Sequence, residues 1–212
     1  MMTRALGQVV SVNVGLAREV EWRGRRFSTA ISKTSVPGPI PVRGVNLAGD
    51  DQADRTVHGG PDKAVYAYSA EDYAWWENEL GRTFLPGTFG DNLTTLDVDL
   101  GAVSIGERWR VGTALLEVAS PRVPCYKLAY VLDDEKFVKR FARELRLGAY
   151  FRIIEEGTIE AGAALTLIAR PQPAPTLRDI GTIVFFERSR ASELLEVPAL
   201  GADFVAWARE HT

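Results

Sequence analysis

The 212-residue sequence contains a single cysteine, Cys125, and only two histidines, His58 and His211. One thiol excludes an internal disulfide and every multi-cysteine zinc or iron–sulfur site. With two histidines and no HExxH pair, a zinc-centred enzyme would need carboxylate ligands, so any metal has to arrive largely pre-ligated, as part of a cofactor. A basic excess is also missing. Lys and Arg number 25 against 28 Asp and Glu, a net charge of -3, which argues against a general nucleic-acid coat but leaves room for a local basic pocket that takes a small anion. No apolar run approaches the length of a membrane span, and the N-terminus lacks the charged-then-apolar pattern of a signal peptide, so a cytoplasmic protein with no membrane partner is expected. The chain has no Gly-rich dinucleotide fingerprint, and electrons for any redox step must therefore come from outside.

The length suits one domain with a full core and a small appendage. The first two thirds read mainly as strands. Residues 7–17, GQVVSVNVGLA, are β-branched, and residues 19–32 look like a hairpin turning at Arg23-Gly24. Residues 36–47 carry three prolines and suit an edge strand or loop wall. Residues 63–69 read as a strand. Ser69 then caps a helix over 70–80 that Gly81 closes. Residues 103–120 read as two strands joined at Val111-Gly112-Thr113. Phe137, Phe141 and Leu145 recur at helical spacing, which predicts a helix over 133–146. Residues 149–171 return to strands, with turns near Gly157 and Gly162. Pro171 to Pro175 form a stiff linker. Helix signals follow: a capping box at Thr176 and Asp179, a short helix over 189–196 and another over 201–210. These place a boundary at 171–175, with a core over 1–171 and a three-helix appendage over 172–212.

Four stretches carry candidate chemistry. In HGGPDK (58–63), paired glycines let backbone N–H groups approach an anion, and His58 beside them can donate to or tune a bound group. A tight loop with an idle histidine explains the same residues. In SPRVPCYK (120–127), two prolines stiffen the chain around Arg122 and lead into Cys125. A thiol beside Arg122 and Lys127 suits a thiolate nucleophile or metal ligand, and a buried structural cysteine is the alternative. Asn92, Thr94 and Thr95 in FGDNLTT (89–95) either bond a polar ligand or cap one another. Lys33, Thr34 and Ser35 in ISKTSVPG (31–38) form a phosphate clamp or a solvated strand end.

Together, in this order and with EEGTIEAGAALTLI after them, these stretches resemble the MOSC domain, the module of molybdenum-cofactor sulfurase C-termini. They are most similar to a bacterial subgroup in which three helices follow the MOSC core and which includes N-hydroxylaminopurine reductases. The resemblance spans nearly the whole chain. It implies a mainly β, barrel-like α+β core with flanking helices and a cleft. It implies that Cys125 is the catalytic residue and a molybdenum ligand, with His58 beside it in the pocket. It places Lys33, Thr34, Ser35, His58, Gly59, Gly60, Lys63, Asn92, Thr94, Thr95, Ser120 and Arg122 around the molybdenum cofactor (molybdenum-molybdopterin). Thr34 is a mild departure, where relatives often have serine. Molybdenum-ion and pyridoxal phosphate binding are both properties attached to the family. The implied activity is reduction of an N-hydroxylated small molecule, such as a hydroxylamino-purine base analogue, by oxygen abstraction at molybdenum, with an external reductase as electron donor. A homodimer is open as the assembly. Two rival readings are a sulfur carrier using a Cys125 persulfide, and a non-catalytic cofactor-binding or storage module. Lys33 and Arg122 are expected to act in cofactor retention and to leave the cofactor-free fold unaffected when replaced.

Overall fold

The computed structural model describes residues 4–53 and 59–212. The strands are β1 (Arg4–Val14), β2 (Arg18–Trp22), β3 (Arg25–Thr29), β4 (Thr34–Ser35), β5 (Ile40–Arg43), β6 (Asn46–Leu47), β7 (Val65–Ser69), β8 (Leu93–Leu96), β9 (Arg108–Val111), β10 (Ala114–Pro121), β11 (Ala149–Glu155), β12 (Gly157–Ile159) and β13 (Ala164–Ala169). The helices are α1 (Ala70–Leu80), α2 (Tyr126–Leu132), α3 (Phe137–Glu144), α4 (Leu177–Phe185) and α5 (Ala202–Glu210).

Seven strands close into a barrel in the order β13-β9-β10-β11-β7-β8-β1, because β1 pairs on its other side with β13. Closure leaves the barrel no open edge. Bending β1 to serve two neighbours requires a bulge, which falls between Ala5 and Gly7. A Cβ on Gly7 would lie 2.1 Å from the Leu96 carbonyl oxygen, so only glycine lets β8 come this close. β7 and β8 run parallel. A parallel pair needs a crossover, and α1 supplies it. Ser69 accepts from the Asp72 N–H at the start of α1, and Gly81 ends it in the left-handed region.

The barrel interior holds Val9, Val65, Leu93, Trp109, Leu116 and Phe151. A second, aromatic cluster fills the space between α1, α3 and the barrel, with Trp76 stacked on Phe141 at 5.9 Å. The C-terminal segment adds α4, a 3-10 stretch over Arg188–Glu196, and α5. Leu177, Ile180, Ile183, Leu194, Phe204 and Ala208 from these elements belong to the barrel's own core cluster. The Thr176–Asp179 capping box is present at the start of α4. None of the described helices is long and apolar enough to cross a membrane.

The hairpin turns where the sequence indicates, with Arg23 and Gly24 both at positive φ. The helix over 133–146 is corrected. It spans only Phe137–Glu144, because Asp133 adopts φ 50 and ends α2 while Leu145 adopts φ 53 and ends α3. α2 itself was not expected. Its sequence, YKLAYVL, carries β-formers, and its N-cap Cys125 makes no side-chain capping bond.

Candidate active site around Cys125

β10 is buried along most of its length and ends at Pro121, and Pro124 follows in the loop. Cys125 therefore falls between a buried strand and the first turn of α2. The half-buried thiol lines two cavities. The first is a polar slot of about 90 Å³ walled by Lys33, Asp50, Lys63, Asn92, Arg122 and Lys127. The second is a larger chamber of about 720 Å³ between the barrel and the C-terminal helices. Lys63 and Tyr150 join Cys125 on the boundary between them.

The slot's charges are not equivalent. Lys33 is buried in an ion pair with Asp50. Burial holds the Lys33 pKa below its usual range, and Asp50 opposes that shift. Asp50 also accepts from the Gly15 N–H at 2.9 Å and from Asn92 Nδ2 at 2.8 Å, so this pair is closed on itself. Arg122, 6% exposed, donates to the Phe89 carbonyl and lies over the Tyr66 ring at 5.0 Å. Burial lowers the Arg122 pKa, but the electron-rich hydroxyls of Tyr66 and Tyr150 and the Cys125 sulfur outweigh it, and the guanidinium stays charged. Lys127 differs. It is 7% exposed, faces the slot, and has no carboxylate partner among the described residues. A cation that is nearly buried and unpaired is costly unless something anionic arrives.

The turn before β7 orders the boundary. Gly60 adopts φ 92 and opens the 3-10 turn Pro61–Lys63. Gln52 receives the Gly60 N–H at 3.3 Å and donates to the Lys63 carbonyl at 3.3 Å. Asp62 accepts from Arg152 at 2.5 Å and from the Ala202 N–H at 2.7 Å. Lys63 pairs with Asp203 at 2.7 Å. One turn thus ties β11 and the start of α5 to the edge of the thiol's surroundings.

The expected site residues divide accordingly. Lys33, Lys63, Asn92, Arg122 and Cys125 line the slot, and Gly59 lines the chamber, while Gly60 lines neither cavity. His58 lies outside the described residues. The structure does not bring Thr34, Ser35, Thr94, Thr95 or Ser120 to either cavity. Thr34 and Ser35 are exposed on β4, where Ser35 bonds Ser11 and Asn13. Thr94 is held by buried Asp91 at 2.7 Å and by Asn13 at 3.0 Å. Asp91 also accepts from Tyr73 at 2.6 Å, so the FGDNLTT polarity serves a buried network. Thr95 is buried and reaches the Tyr68 carbonyl at 3.5 Å. Ser120 is buried, and its hydroxyl has no partner among the described residues. Lys127, noted in the sequence as a cation near the thiol, also lines the slot, whereas Tyr150, Asp50 and Gln52 were missed as site residues and left no local signal.

Among the described residues, no three His, Cys, Asp or Glu side chains group as a metal site. Among the described residues a metal held by Cys125 finds no group of three such ligands, so a cofactor would supply the rest. The slot fits such a group in two respects: a soft sulfur donor, and beside it a cation, Lys127, with no carboxylate partner among the described residues, for an anionic moiety.

Comparison with known proteins gives the family. A sequence profile of the MOSC domain matches residues 54–166. The chain belongs to the MOSC domain family. It is 33% identical over 199 residues to the uncharacterized protein YflK of Bacillus subtilis, covering 94% of this chain and 90% of that protein. It is 32% identical to protein YiiM of Escherichia coli over 85% of this chain and 82% of that protein. The crystal structure of YiiM from Geobacillus stearothermophilus superposes with a TM-score of 0.80 at 33% identity, covering 96% of this chain and 98% of that one. The MOSC fold expectation, a mainly β barrel with flanking helices, holds.

Proposed function

We infer that this MOSC-domain protein binds the molybdenum cofactor through Cys125 and reduces N-hydroxylated small molecules to the corresponding amines. The observation that carries this reading is the position of the Cys125 thiol on the boundary between a cationic slot and a roomy chamber. A thiolate placed there can anchor a metal whose organic part is anionic, while leaving open space on the other side for substrate. A Gibberella moniliformis protein named as a reductase supports the redox class, at 30% identity over 76% of this chain and 29% of its own length.

The cofactor would supply the electron pair for breaking the N–O bond, and an external reductase would replenish it. Cys125 would hold the metal. Lys127 and Arg122 would hold anionic groups of the cofactor, while Lys33 and Lys63, each paired with a carboxylate, shape the walls. The overall change, R–NHOH plus an electron pair and a pair of protons to R–NH2 and water, needs a proton donor near the leaving oxygen. Tyr150 lines both cavities. Burial raises its pKa against the opposing pull of Arg122, so the phenol stays protonated at neutral pH and is available as a donor. The test is anaerobic reduction of an N-hydroxylamine by protein produced in a host that makes the cofactor, with molybdenum and pterin assayed on the same sample. Bound molybdenum without turnover points to the storage module, and cyanolysable sulfur on Cys125 without molybdenum points to the sulfur carrier.

A further inference from the structure

Tyr66 is the second residue of β7, is 2% exposed, and lines the slot. A buried tyrosine in a strand is ordinarily a core residue whose hydroxyl has found a partner. Tyr66 differs in what rests on it. The centre of the Arg122 guanidinium lies 5.0 Å over its ring. The Tyr150 ring lies 4.7 Å away at 33°, and Tyr150 is its direct cross-strand partner in the β7–β11 pairing. The Tyr66 N–H donates to Asn92 Oδ1 at 3.1 Å, and its carbonyl accepts from the Asn92 N–H at 2.7 Å. Asn92 in turn donates to Asp50, the partner of Lys33. One residue therefore reaches Arg122, Tyr150 and the Lys33–Asp50 pair, directly or through Asn92.

The ring is fixed. Its hydroxyl donates to the Leu147 carbonyl at 2.8 Å, and burial pushes the phenol well above its ordinary range, so the donor proton stays in place. Gly148, at φ 67, makes the room: a Cβ there would lie 2.8 Å from Tyr66 Oη and 2.8 Å from Cε2. Arg122 is a long side chain with much rotamer freedom to lose, and an anion gains most from a guanidinium already held in position. The Phe89 carbonyl takes one of its nitrogens. The electron-rich face of Tyr66 attracts its cationic centre, and burial strengthens that attraction.

The geometry points to Tyr66 as the positioning residue of the slot, whose ring holds the Arg122 guanidinium where an anionic group of the bound ligand meets it. This rests on the reading of Arg122 as an anion holder under the proposed function, but on neither molybdenum nor reduction. The aromatic face carries the role, and the hydroxyl serves only to lock the ring.

The probe is inorganic phosphate, titrated by calorimetry into the full-length, cofactor-free protein. The wild type binds it, and Arg122→Gln weakens binding roughly ten- to a hundredfold. Tyr66→Leu weakens it roughly five- to thirtyfold, the worth of a desolvated cation–ring contact, while Tyr66→Phe stays within about twofold of wild type. In an Arg122→Gln background Tyr66→Leu has no further effect, because it acts through the guanidinium. Should Tyr66→Leu fail to fold, pentafluorophenylalanine in place of Tyr66 keeps the outline of the ring and reverses the charge of its face. Phosphate affinity then falls relative to Tyr66→Phe. No phosphate binding by the wild type overturns the inference, as does equal loss in Tyr66→Phe and Tyr66→Leu. A Tyr66→Leu loss that persists without Arg122, or an affinity indifferent to Tyr66→Leu or to fluorination, marks an ordinary core residue and overturns it too. Failure of the reductase reading is separate: N-hydroxylamines would go unreduced by the cofactor-loaded protein while the phosphate pattern stayed intact.

Discussion

Lys33 and Lys127 stand on the wall of one slot with opposite surroundings, and replacing them should do different things. Lys33 neutralises buried Asp50. Lys33→Ala should therefore destabilise the cofactor-free protein by about 3 kcal/mol, the low end for breaking a buried pair, since Asn92 and the Gly15 N–H still donate to Asp50. Urea denaturation checks this, and an unchanged midpoint would contradict it. The sequence-based expectation that Lys33 and Arg122 act in retention alone is thus revised, as both are tied into the wall. Lys127 has no carboxylate among the described residues to leave behind. Lys127→Met should hold or raise the cofactor-free melting temperature, because it removes a costly buried charge, and lower cofactor affinity roughly ten- to a hundredfold, read as molybdenum and pterin content. Wild-type content would remove Lys127 from the site. The sequence made Cys125 and Arg122 legible because the prolines around them announce a stiff loop. The placement of Thr94 was not legible, because a polar run looks the same whether it faces a ligand or wraps a buried Asp91. Tyr150 and Asp50 were invisible, since long-range strand pairing brings Tyr150 to the thiol and contacts with Lys33, Gly15 and Asn92 bring Asp50.

At the scale of elements, the Gly60–Lys63 turn does more than precede β7. Burial pushes the Asp62 pKa up, but the Ala202 N–H and Arg152 outweigh it and hold the carboxylate below its ordinary 3.8. A depressed acid pKa contributes stability that is present above the unfolded value and is lost as pH falls through the folded one. Asp62→Asn should therefore cost about 1–2 kcal/mol at pH 7, discounted for partial exposure. The gap between the two proteins should persist near pH 5 and close below about pH 3.8. A gap that stays constant on acidification would show that the carboxylate's charge contributes nothing. Local signals located this turn, the hairpin at Arg23-Gly24 and the α4 capping box, because each depends on a few adjacent residues. They failed at α2, where tertiary burial of Leu128 and Leu132 overrides the β-propensity of YKLAYVL.

For the whole molecule, alternating apolar residues and frequent turns made a mainly β fold legible, whereas barrel closure through β1 pairing with both β8 and β13 was not, because register is not written in local sequence. The linker composition suggested an appendage, yet the core residues contributed by α4 and α5 tie it closely to the barrel. Deletion of residues 172–212 should strip Leu177, Ile180 and Phe204 from the barrel's core cluster and expose its apolar surface on the β10 side, giving insoluble protein; a soluble barrel with a cooperative melt would contradict this. The central claim, that Cys125 anchors the redox centre, is tested most directly by Cys125→Ser. The exchange keeps nearly the same volume and replaces a soft thiolate with a hydroxyl that is hard to ionise. Both proteins are produced in a cofactor-synthesising host and assayed for anaerobic N-hydroxylamine reduction with a competent electron donor. The account predicts a serine variant with a wild-type-like melting temperature, partly retained pterin and no turnover. Turnover near the wild-type rate would contradict it.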